Sequence, residues 1–193
     1  MAKRVAFFFV VLFLIALTVV EALSGSATSG QLNANEAIRA YPCVDGKTSY
    51  VAKTGLTSCV VSRDTDFGEA RVPSGSAIYL KEDGKPFSVF LSHDTTIRGY
   101  TCLGGHGHGY STGFYPSGEL KLCWLASDQE VDGIPCMQAS FFADVVGGTV
   151  GTHFYRSGKL RTCKISRDAV IQDRKFRQGD HIYLDADGRV QQK

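Results

Sequence analysis

The sequence predicts an all-β protein: antiparallel β-hairpins repeat along the chain, meander into one sheet and are stapled by disulfides. Three observations predict it. A phrase recurs, as Phe114-Tyr115-Pro-Ser-Gly118-Glu-Leu120 running on to Cys123 and Asp128, and as Phe154-Tyr155-Arg-Ser-Gly158-Lys-Leu160 running on to Cys163 and Asp168. Repetition at a period of some tens of residues marks a repeat architecture. After each turn glycine the residues alternate with a period of two, which favours strands over helices. Six cysteines, an even number, follow the repeats.

The N-terminus stands apart from this fold. Lys3 and Arg4 precede an apolar run, Val5 to Val20, of 16 residues that Glu21 closes, and Ala22, Ser24 and Ala27 offer small residues for cleavage. This is the grammar of a secretory signal over residues 1–22. The run is short of the roughly 20 residues a spanning helix needs, and an uncleaved N-terminal anchor is the alternative. Residues 23–36 are Ser, Gly, Ala, Thr, Asn and Gln with little to bury, and read as a flexible tether. A helical turn is expected only over Glu36–Arg39. Residues 37–193 form the repeat domain.

The chain carries 21 basic and 19 acidic residues, and the signal takes Lys3, Arg4 and Glu21 with it, leaving 19 against 18. So even a balance gives no electrostatic reason to expect nucleic acid or an anionic membrane as partner. No second apolar stretch is long enough to span a membrane, so the mature chain is expected to have no span.

Five units are legible. Their turn glycines are Gly55, Gly84, Gly118, Gly158 and Gly188, spaced 29, 34, 40 and 30 residues apart, and the fifth unit is truncated. Gly supplies the positive φ that a tight hairpin connection requires. Past the turns, Leu120, Leu122 and Trp124 alternate with Lys121, Cys123 and Leu125. Leu160, Thr162 and Lys164 alternate with Arg161, Cys163 and Ile165. A two-stranded hairpin is marginal alone, so successive hairpins pair edge to edge. Phe114, Tyr115, Phe154, Tyr155, Tyr79 and Tyr183 are expected to be core and cross-strand packing.

The phrase resembles the signature of MORN-repeat variants, Tyr/Phe-Tyr-x-x-Gly-Lys-Leu-Lys. Here it is matched by Phe114-Tyr115-Pro-Ser-Gly118-Glu-Leu120-Lys121 and Phe154-Tyr155-Arg-Ser-Gly158-Lys-Leu160-Arg161, and the likeness runs over roughly residues 48–193. The resemblance implies a β-hairpin per repeat, an elongated sheet and a binding role. It implies no shared enzymatic site.

Six cysteines allow fifteen connectivities, and the repeats prune them. Cys59, Cys123 and Cys163 share one strand slot. Cys43, Cys102 and Cys136 end a second shared phrase: Ile38-Arg-Ala-Tyr41-Pro-Cys43, Ile97-Arg-Gly-Tyr100-Thr-Cys102 and Val131-Asp-Gly-Ile134-Pro-Cys136. Unit two has neither cysteine, with Val72 and Val89 in the two slots, and unit five has Phe176 in its leading slot. Pairing each strand cysteine with the one before it makes them appear and vanish together. The predicted bridges are Cys43–Cys59, Cys102–Cys123 and Cys136–Cys163. No two cysteines lie at zinc-finger spacing, and there is no Cys-x-x-Cys redox pair.

Candidate chemistry is sparse. Gly104-Gly-His106-Gly-His108-Gly offers two imidazoles for a metal, but two ligands do not close a site, and a solvent loop is expected. Asp64, Asp94, Asp128 and Asp168 close the four full units. Stacked, they form a carboxylate row that could serve glycoside hydrolysis or calcium; Asp is also a common strand-exit residue, which is the expected role. Ser92-His93-Asp94 holds triad residue types, but neighbours on a strand point to opposite faces. No nucleophile, zinc-protease or phosphate-loop motif is present, and nothing calls for a cofactor. The expected protein is secreted or periplasmic, not an enzyme, with a binding or structural role toward a protein or glycan in the envelope or outside the cell. The alternative is an exported hydrolase using carboxylates on the sheet face.

Overall fold

A computed structural model describes residues 34–105, 110–140 and 151–191. Long and short hairpins alternate along it. Strands β1 (Cys43–Val51) and β2 (Leu56–Val61) make the first long hairpin, and β3 (Thr65–Phe67) and β4 (Ala70–Val72) a short one. Next come β5 (Ala77–Leu80) with β6 (Pro86–Phe90), then short β7 (Thr95–Ile97) with β8 (Tyr100–Cys102). The third unit holds β9 (Thr112–Phe114) and β10 (Leu120–Cys123), then short β11 (Gln129–Val131) and β12 (Ile134–Cys136). The fourth holds β13 (Thr152–Phe154) and β14 (Leu160–Lys164), then short β15 (Ala169–Ile171) and β16 (Arg174–Phe176). β17 (His181–Tyr183) opens the truncated fifth, closed by a bridge from Leu184 to Val190.

The long hairpins pair edge to edge into one nine-stranded antiparallel sheet, in the order β1-β2-β5-β6-β9-β10-β13-β14-β17. The predicted turn glycines all adopt positive φ: 64° at Gly55, 75° at Gly84, 101° at Gly118, 83° at Gly158 and 88° at Gly188. At Gly118 the N–H donates to the Tyr115 carbonyl and the Tyr115 N–H donates to Glu119, a type I turn followed by a left-handed residue. Turns in this position at Gly84, Gly158 and Gly188 repeat both bonds.

The short hairpins were not legible as strands. They form a second layer over one sheet face. Phe67, Val72, Ile97, Val131 and Ile134 are buried in the same cluster as Ile78, Leu80, Val89, Phe114, Leu120, Phe154 and Leu160 of the sheet. Phe67 meets Phe114 edge to face at 5.3 Å, and Tyr100 stacks on Phe154 at 5.3 Å. Residues 34–39 form a helix that takes in the last three residues of the expected tether; its Ala34 and Ile38 are buried. The signal segment lies outside the described residues.

The three bridges are those the repeats predict: Cys43–Cys59, Cys102–Cys123 and Cys136–Cys163, with Cα separations of 5.8, 5.4 and 5.7 Å. The second and third tie a short hairpin to the sheet beneath it. Val72 and Val89, which stand in the cysteine slots of unit two, are fully buried. Each bridge closes a loop of 16, 21 or 27 residues, worth about 3 kcal/mol on the loop-entropy model.

One sequence expectation needs correcting. The strict alternation past the turns breaks at a β-bulge in β6, β10 and β14. Phe114 faces Leu120 but Gly113 faces Leu122, so Lys121 is the extra residue; Phe154 faces Leu160 but His153 faces Thr162, so Arg161 is extra. In β6 the pairs Leu80–Pro86 and Tyr79–Ser88 leave Phe87 extra. A bulge shifts the side-chain phase by one residue. Leu120, Cys123 and Leu125 therefore face the core together, as do Leu160, Cys163 and Ile165. Lys121, Leu122 and Trp124 point the other way.

Candidate functional site

The cysteines and the Asp row, two of the sequence-derived candidates, resolve into scaffold. All six cysteines are bridged. His106 and His108 lie outside the described residues. Each Asp of the row binds a backbone N–H ten residues on: Asp64 accepts from Ser74 at 2.9 Å, and Asp94, Asp128 and Asp168 accept from Gly104, Gln138 and Gln178 at 2.8 Å. These bonds close the base of each short hairpin, the strand-exit role expected of them. Among the described residues no cluster of three or more metal-ligating side chains forms. Of the six aromatics assigned to packing, Phe114 and Phe154 are in the core. The four tyrosines pack across strands on the opposite face, half-buried.

That opposite face is where the sheet presents chemistry. The short hairpins and the helix all bury residues in the core cluster, so no described strand or helix lies over it. Register builds a continuous row along it. Ser49 faces Ser58, Ser58 faces Tyr79, Tyr79 faces Ser88, and Ser88 faces Gly113. Gly113 faces Leu122, Leu122 faces His153, His153 faces Thr162, and Thr162 faces Tyr183. Ser88, Tyr79, Ser58 and Ser49 lie on one side of the Gly113–Leu122 centre and His153, Thr162 and Tyr183 on the other. The Thr162 hydroxyl is buried in the row with no hydrogen-bond partner.

A second row, nearer the strand exits, carries Phe90 and Trp124. Phe90 packs on Tyr79 at 5.6 Å and Trp124 on Tyr110 at 5.0 Å, both edge to face. A third row, at the bulges, pairs a cation with a ring in each of three units. Lys81 lies over Phe87 at 5.8 Å, Lys121 over Tyr115 at 5.8 Å, and Arg161 over Tyr155 at 5.7 Å. Arg156 adds a second cation over Tyr115 at 5.3 Å. Cation–π contacts are electrostatic and hold the charged group over the ring. The rings are fixed in turn, because the Tyr115 hydroxyl donates to the Phe154 carbonyl at 2.9 Å and the Tyr155 hydroxyl to Leu184 at 2.8 Å.

His153 reports the electrostatics of this face. Burial, then the charges of Arg161 and Lys121, hold its pKa below the ordinary 6.5, so it is neutral at pH 7. The face thus offers flat rings and fixed cations on a rigid sheet, with Ser58, Ser88 and Thr162 buried between them. Sequence reasoning missed it because the bulge decides which side Lys121 and Arg161 take. The only sequence signal was the basic residue in the same slot after the turn in units three and four.

No protein family, curated protein or solved structure matches this chain.

Proposed function

We propose that this is an exported binding protein, a MORN-like hairpin repeat whose open sheet face meets its partner outside the cytoplasm. One observation carries the reading: an in-register row that includes the rings Tyr79, His153 and Tyr183 crosses the sheet, beside a row of cation–ring pairs, on the face that no described strand or helix covers. Three disulfides suit an oxidising compartment. Large flat rings with polar tips are the side chains that recognition surfaces favour. The partner is a glycan or a protein of the envelope or extracellular space. The carboxylate row lends the hydrolase alternative no support, since each Asp is engaged by its own hairpin.

The test is a screen of the disulfide-intact protein on arrays of purified glycans and proteins, beside a Tyr79→Ala/Trp124→Ala variant and an Arg71→Ala/Val170→Ala control in the short-hairpin layer. The expected hit is lost by the first variant and kept by the control. A hit that survives loss of both rings would place the binding site elsewhere.

A further inference from the structure

We propose that the open face takes a linear anionic polysaccharide, laid across the strands and held by the cation–ring pairs at the bulges. This rests on the open face being the binding face and names its ligand class. The bulge sits at the same place in three consecutive units, and in the last two of these its extra residue is a cation, Lys121 or Arg161. A bulge re-aims a side chain that a regular ladder would place on the other face. Here that puts both charges on the open side, each beside a fixed tyrosine.

Neither cation is neutralised. Among the described residues no carboxylate lies within ion-pair distance of Lys121, Arg156 or Arg161. Glu119 lies near Arg156 and Asp83 near Lys81; both are in turns, and Asp83 is paired with Lys85. The positive charge without a carboxylate beside it is therefore that of Lys121 and Arg161, while Arg156 has Glu119 near it.

Spacing and chemistry select the ligand. Tyr115–Lys121 and Tyr155–Arg161 are two strand steps apart, about 9.6 Å at the usual strand separation. A polymer that repeats one ring and one negative charge at about that interval meets both pairs in phase. Lys121 and Arg161, held over Tyr115 and Tyr155, would meet the acid groups of such a polymer, with its sugar rings along the neighbouring row. In the adjacent row the half-buried, neutral His153 offers an uncharged imidazole to the sugar hydroxyls. Nucleic acid is disfavoured, because phosphate-driven binding needs many released counterions and the whole chain carries only +2.

Affinity would be measured on the disulfide-intact protein with polygalacturonate, heparin, neutral dextran and single-stranded DNA. Lys121→Ala/Arg161→Ala is the test variant, and Arg71→Ala/Arg167→Ala removes two cations from the other layer. All four side chains are exposed, and thermal melts check that each variant folds. The expected result is binding to at least one anionic polysaccharide that falls tenfold or more in the test variant, weakens with salt and is unchanged in the control. Absence of binding to both anionic polysaccharides overturns the proposal, as does an equal loss in test and control variants. Tighter binding to DNA overturns it in favour of nucleic acid. Dextran binding that Tyr79→Ala/Trp124→Ala abolishes and Lys121→Ala/Arg161→Ala leaves intact sinks the anionic ligand while keeping the open-face reading. Polysaccharide binding that none of these variants affects sinks both.

Discussion

At the scale of single residues, the same position does the same work in every unit. Asp168 shows it most simply. Its Oδ1 accepts the Gln178 N–H at 2.8 Å and so ties the exit of β14 to the return of β16. A charge-assisted bond at an exposed position is worth about 1 kcal/mol. Asp168→Ala should lower the unfolding free energy by that amount and Asp168→Asn by less, since the amide oxygen still accepts; urea titration under oxidising conditions measures both. His153 gives a pH-dependent counterpart. Its folded pKa lies below the unfolded 6.5, so between those values the unfolded chain holds the extra proton. Stability should therefore fall as pH drops below about 6.5 and level off once below the folded value. The loss in urea midpoint between pH 7 and pH 5 should be larger for the wild type than for His153→Gln. The Asp role was legible, because one Asp per unit in one slot is the mark of a turn constraint. The environment of His153 was not, since it depends on three strands separated in sequence.

At the scale of elements, the tips of the short hairpins lock onto the long turns. The turn Val131-Asp132-Gly133-Ile134 has positive φ at both centres, 50° and 76°, as a type I′ turn requires. From that tip Asp132 accepts the Leu160 N–H at 2.7 Å, and from the next one Gln172 accepts the Val190 N–H at 2.9 Å. The matching residue before unit three is Arg98, which has no acceptor. Glu69 of the previous tip takes its place, accepting the Leu120 N–H at 2.7 Å while pairing with Arg98 at 3.2 Å. Arg98→Asp should restore the local bond. Glu69→Ala should then cost about 1–2 kcal/mol in the wild-type background and markedly less in Arg98→Asp, a coupling that a double-mutant cycle reads directly. Long hairpins were legible, since a glycine forced to positive φ leaves an unambiguous mark. The short ones were seen only as the phrase that precedes each cysteine, because three-residue strands are too short to show a period. The bulges were hidden because Leu120-Lys-Leu-Cys-Trp-Leu125 satisfies either phase of alternation.

At the scale of the whole molecule, the staples and the edges decide behaviour. Cystines and buried valines occupy the same slots, so replacing Cys102 and Cys123 together with Val should keep the packing and lose only the constraint on the unfolded chain. The expected cost is about 3 kcal/mol, and it should match the shift that mild reduction of that bridge produces in wild-type unfolding. The pairing was legible because cysteines come and go in couples along the repeats. The sheet also ends in two edges, β1 and β17. β1 is nine residues long and mostly exposed, and its register slips between Cys43 and Thr48, around Asp45, Gly46 and Lys47. A charged, irregular edge discourages further strands from adding.

The order of strands along the sheet also sets how the molecule would carry load. Residue 43 enters at one edge and the chain leaves at the other, so tension between the ends would peel strands away one at a time rather than shear them together. The three bridges close separate, non-overlapping loops and hide 16, 21 or 27 residues from extension, at up to about 3.5 Å per residue. Under force the oxidised protein would be a short, stepped tether, and reduction would release its stored length in three separate instalments.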